Sequence, residues 1–141
     1  MIIKEIFYRI FKMLENTQIL ISGLICGVIL FQTAIIAPSI FKIFSPDDAG
    51  PFLRSIFPKL FMLVATLSLI ALILSFASSI KLSLYVYVFT FIFMLICYHI
   101  VPITNKARDD GNNKKFNRLH TISVVLTMLV LISNLGWLFL I

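Results

Sequence analysis

Four stretches of this chain run without a charged side chain for long enough to cross a hydrocarbon layer, and nothing else in it constrains the fold as much. No charge occurs between Glu15 and Lys42, between Lys59 and Lys81, between Lys81 and Lys106, or after Arg118. A helix rises about 1.5 Å per residue and the apolar part of a bilayer is ~30 Å thick, so roughly 20 apolar residues span it. The runs 18–44, 57–80, 82–104 and 117–141 each reach that length. The expectation is an all-α integral membrane four-helix bundle. Composition agrees, with 60% hydrophobic and 13% charged residues among 141. A soluble domain is about half apolar and a quarter charged. The first run is too long for a cleaved signal peptide and is poorly matched by a cleavage site.

Ahead of the first run, Ile2, Ile3, Ile6, Phe7, Ile10, Met13 and Leu14 fall on one helical face, and Lys4, Glu5, Arg9, Lys12 and Glu15 on the other. This predicts a short amphipathic helix over residues 1–16, lying in the headgroup plane before a membrane domain at 17–141. The alternative is a straight extension of the first span into water.

The chain carries 12 Lys+Arg against 6 Asp+Glu. These cations border the apolar runs, so topology and the lipid bilayer account for them and no nucleic-acid partner is expected. The first and third loops hold Lys42, Arg54, Lys59, Lys106, Arg108, Lys114, Lys115 and Arg118; the opposite side holds Lys4, Arg9, Lys12 and Lys81. That imbalance puts both long loops in the cytoplasm and both termini outside, in what reads as a bacterial inner (plasma) membrane. Cys26 and Cys97 both sit in apolar runs, which is no disulfide framework.

Polar residues inside the spans mark where helices meet or where something binds. Gly23 and Gly27 form a GxxxG, read as a helix-packing motif and open to a homo-oligomer. Gln32, about half a turn of angle away from Gly23, is costly in hydrocarbon unless hydrogen-bonded. It either bonds another helix or lines a polar path. Ala65, Ser68, Ser75 and Ser79 make a small-residue seam, and Tyr87, Thr90, Cys97 and Thr104 share a face from which His99 points away. On the last span His120, Ser123, Thr127 and Asn134 fall within about 60° of one another, a stripe expected to face the bundle interior.

The absences narrow the function. All six acidic residues lie outside the spans, which disfavours an ordinary ion-driven transporter. GxSxG, P-loop and HExxH motifs are missing, so the reading leans away from an enzyme, with no catalytic residues and no cofactor expected. His99 and His120 fall at matching depth, which keeps open a redox protein binding haem b or copper.

The segment SGLICGVILFQTAIIAPSIFKIFSPDDAGPFLRSIFPKLF resembles the first half of the TMEM205-like proteins (DUF4149). The matching positions are Gln32, Ala37, Pro38, Phe41, Ala49, Gly50, Phe57 and Pro58, followed in the second half by Asn105, Phe116, Arg118, His120 and Ser123. The resemblance covers about residues 18–135 and implies a four-span membrane protein of unassigned activity, with His120 rather than His99 in the family pattern. Most of these residues fall at one membrane face. They predict a pocket of Gln32, Pro38, Phe41, Pro58, Asn105, Arg118, His120 and Ser123, roofed by the two long loops. The expected function is non-enzymatic binding or passage of a small molecule or lipid there; the haem or metal protein and a structural or assembly subunit are the alternatives.

Overall fold

The computed structural model describes residues 2–78 and 80–140. Helix α1 spans Ile2–Phe31, a π-helical turn spans Gln32–Ile36, and α2 spans Ala37–Ile43. Helices α3 (Pro46–Ser75), α4 (Lys81–Asp109) and α5 (Asn113–Leu138) follow. Four rods are long and apolar enough to cross a membrane, the first formed by α1, the π turn and α2 together. The expected all-α four-helix bundle is the observed one.

Residues 2–16 are not a separate interfacial helix. They run on into the first span as one rod, because no glycine or proline interrupts the chain there. Thr17 supports the continuity, its hydroxyl donating to the Met13 carbonyl at 2.9 Å. The apolar face of this extension, with Ile2, Ile6, Phe7 and Ile10, stays exposed.

The loops expected after the first and third spans are mostly helix as well. Ser45 caps α3, its hydroxyl accepting from the Asp48 N–H at 3.3 Å, and Pro46 follows in the first turn. A proline there gives up only an N–H that has no partner in the helix. The α4–α5 turn closes on Gly111, whose φ of +68° only glycine adopts without strain. Asn112 then caps α5, accepting from the Lys115 N–H at 3.0 Å.

The π turn has a cause in Pro38. Proline lacks an N–H, and its ring presses on the carbonyl four residues back. The helix absorbs this by shifting register, and the Ala37 N–H bonds the Gln32 carbonyl five residues earlier. Helix α3 packs most extensively on α4, and α4 on α5, while α1 lies against α3 and α5. The core is built from Ile25, Ile29, Val64, Ala71, Tyr87, Met94, Val130 and Trp137.

Candidate functional site

Antiparallel packing brings one face of each helix together. Along α1 the buried positions are Gln18, Ile21, Ser22, Ile25, Cys26 and Ile29, with Gln32 continuing the line. These recur at the helical spacing of three and four residues, so one face meets the bundle. On α3 the small-residue seam is buried at Ala65, Ser68 and Ser75; Ser79 lies outside the described residues. On α4 the polar face is buried at Tyr87, Thr90 and Cys97.

Where these faces meet around Gln18 and Ser22 of α1, their polar groups join. The Trp137 indole N–H donates to Ser22 Oγ at 2.7 Å, and Ser22 Oγ donates to Asn134 Oδ1 at 3.1 Å. Asn134 Nδ2 donates to Thr90 Oγ1 at 2.8 Å and to the Val130 carbonyl at 2.9 Å. The Tyr87 hydroxyl donates to the Gln18 carbonyl at 2.8 Å and lies 2.9 Å from Ser22 Oγ. Ser75 Oγ reaches Gln18 Oε1 at 3.5 Å, and Ser83 Oγ reaches Ser75 Oγ at 3.3 Å. The Tyr87 and Trp137 rings meet edge to face, centroids 6.0 Å apart. All four rods contribute.

Counting protons shows what this cluster lacks. Trp137, Ser22 and Tyr87 supply one each, yet four contacts draw on them: Trp137–Ser22, Ser22–Asn134, Ser22–Tyr87 and Tyr87–Gln18. One contact at a time is therefore without a proton. Beside it, Gln18 is completely buried and its Nε2 has no partner. Exchanging the amide's oxygen and nitrogen would only move the deficit from one atom to the other. Gln32 is 6% exposed, and its Nε2 is likewise unpartnered. A buried polar group left unsatisfied costs about 1–3 kcal/mol.

The Gln32 amide sits at the depth of a second, sparser polar level. Ser22 meets Asn134 and Cys26 meets the Leu131 carbonyl, so continuing that antiparallel register brings Gln32 level with Ser123 and Thr127. Cys97 reaches the Ser123 carbonyl at 3.8 Å from α4. The polar stripe of α5 therefore faces inward at Thr127 and Asn134, is half-buried at Ser123, and fails at His120, which is exposed.

Of the eight residues expected to form a loop-face pocket, two share a cavity lining and four are exposed. Pro38, Phe41, Arg118 and His120 are all exposed. Pro58 and Asn105 do come together, in a shallow cavity of about 280 Å³ lined also by Tyr98, His99 and Pro102. Gln32 turns into the bundle instead. Pro58 lies within α3. The physical reason for His120 is the π turn: α1 ends there, and α2, which continues it, packs against α3. His120 stacks on Phe116 of its own helix, centroids 5.8 Å apart and planes 3° apart. His99 lines the cavity that Pro58 and Asn105 share. No group of three or more His, Cys, Asp or Glu side chains fit to hold a metal occurs among the described residues.

Gly23 and Gly27 are also placed differently from expectation. Both face away from the bundle, and a Cβ at either would meet nothing within 4 Å. They pack no helix of this chain. Gln18, Ser22, Ser83 and Trp137 are the site residues that sequence reasoning passed over. The signal for the first two was available, since Gln18, Ser22 and Gln32 lie within about 80° on α1.

The fold and this site define an integral membrane protein, a four-helix bundle with an uncharged polar core. A family model described as a domain of unknown function (DUF4149) matches residues 20–139, and the chain belongs to that family. No curated protein and no solved structure matches it.

Proposed function

We propose that this is a non-enzymatic membrane protein, TMEM205-like within its family, that binds or passes a small uncharged molecule through its polar core rather than at the loop face. The observation that carries this is the pair of buried glutamine amides on the first rod, Gln18 in α1 and Gln32 in the π turn, each with an unpartnered Nε2. Each unpartnered Nε2 carries two donor protons. Such donors fit a ligand that accepts a hydrogen bond, such as water, a small alcohol or an amide. No charged side chain is buried among the described residues, which matches a neutral ligand. The charge imbalance supports a bacterial inner-membrane setting with the α2–α3 and α4–α5 turns in the cytoplasm.

The test is Gln18→Met and Gln32→Met, near-isosteric changes that delete the amide. If the amides serve a ligand, thermal stability in detergent holds or rises, by up to about 1–3 kcal/mol per site, while a molecule retained in native mass spectrometry is lost. If stability falls and nothing retained changes, the amides are structural glue.

One observation favours a second reading, an assembly subunit. The outward Gly23–Gly27 face offers close approach to another membrane helix. Gly27→Leu separates the two, lowering the oligomeric order of the purified protein only if that face is an interface.

A further inference from the structure

The polar core does not explain the far end of α4 and α5, where the exposed His120 lies. The uncharged run of α4 stops at Lys106 and that of α5 at Arg118, so the hairpin between them sits at the headgroup level. It carries Lys106, Arg108, Lys114, Lys115 and Arg118 against two carboxylates, Asp109 and Asp110. Asp109 is already engaged, accepting from Arg54 at 2.6 Å. None of the five cations has an acidic partner within 4 Å among the described residues. The hairpin is held in one shape by Gly111 and by the Asn112 cap. The Arg108 guanidinium lies over the Phe116 ring, 4.8 Å from its centroid, and His120 stacks on the same residue with its plane 3° from parallel. Guanidinium, phenyl and imidazole thus form one ordered group, with Arg108 and His120 both exposed.

We propose that this group, Arg108, Phe116 and His120 with the neighbouring Lys115 and Arg118, binds the headgroup of an anionic phospholipid in the adjacent leaflet. A phosphate is the natural counter-ion for a guanidinium that no protein carboxylate neutralises. The Phe116 ring holds that guanidinium at a fixed place, so less freedom is lost on binding. Exposure at headgroup depth lets a lipid reach it without entering the bundle. The inference is independent of the polar core, since no residue is shared.

The experiment is native mass spectrometry of the full-length protein from an equal mixture of phosphatidylglycerol and phosphatidylcholine. Wild type should retain phosphatidylglycerol preferentially. Arg108→Gln should lower that preference by roughly five-fold, the effect of one basic group near a membrane surface. Phe116→Leu, which keeps every charge, should lower it by a smaller factor. Lys81→Gln, a cation at the other end of the bundle, should leave it unchanged. Equal effects of Arg108→Gln and Lys81→Gln, or no preference in wild type, would overturn the proposal. Full displacement of the lipid by excess inorganic phosphate would also overturn it, assigning the group to a soluble anion. Arg108 is exposed, so the variant's fold is checked simply by an unchanged helical spectrum and elution volume.

Discussion

The two ends of the bundle carry similar polar residues and use them in opposite ways. At one end Gln18, Ser22, Tyr87, Asn134 and Trp137 are buried and bonded across three rods. At the other, Arg118 and His120 are exposed, and His120 touches a ring of its own helix. The difference lies in what covers them. Near Ser22, α1, α4 and α5 all converge on one another. Near His120, α1 has given way to the π turn that Pro38 imposes, and α2 leans on α3. A polar residue in a membrane helix is therefore read correctly only when the helix opposite it is known.

This contrast can be broken by substitution. The largest effect is expected from Trp137→Ala, which removes a ring 2% exposed together with its bond to Ser22. A loss of about 3–5 kcal/mol in detergent unfolding is predicted. Asn134→Leu comes next, since it leaves Ser22 and Thr90 without the partner both now have. About 1–3 kcal/mol should be lost, by the cost of stranding buried polar groups. Tyr87→Phe deletes one hydroxyl that bridges α4 to α1, and a loss near ~0.6 kcal/mol is expected for such a bond between membrane helices. His120→Ala should fall within about 0.5 kcal/mol of wild type, as for an exposed substitution. Were it to cost as much as Asn134→Leu, the two ends would not differ as described.

Much of the fold was legible because its signal is long. Four uncharged runs survive any uncertainty about single residues, and the rods follow them. The helix ends were harder to read. Ser45, Pro46 and Asp48 look like loop residues, yet a capping serine, a first-turn proline and an early acid also spell a helix start. Gly111 and Asn112 likewise mark one turn rather than a long loop. For residues 2–16 the amphipathic pattern was real, but amphipathicity says nothing about a bend, and no breaker separates them from the span.

The site was legible in direction and not in depth. Helical angle correctly turned Thr127 and Asn134 inward and His99 outward. It could not show that His120 stays exposed, because that depends on a register shift set by Pro38 on another helix. Gln18 was passed over as the border of a span, although it shares the face of Ser22 and Gln32. Gly23 and Gln32 on opposite sides of α1 required either a second packing partner or a polar lining. The structure answers half of this: the glutamine faces the bundle, and the glycines face outward.

The central claim is that the polar core has hydrogen-bonding capacity reserved for something other than protein, and its most direct test is an experimental density map fine enough to show ordered small molecules. A non-protein peak within about 2.7–3.2 Å of Gln18 Nε2, at ordinary hydrogen-bond distance, is the predicted result. A Gln18 amide that donates both protons to protein acceptors, with no such peak, would contradict it.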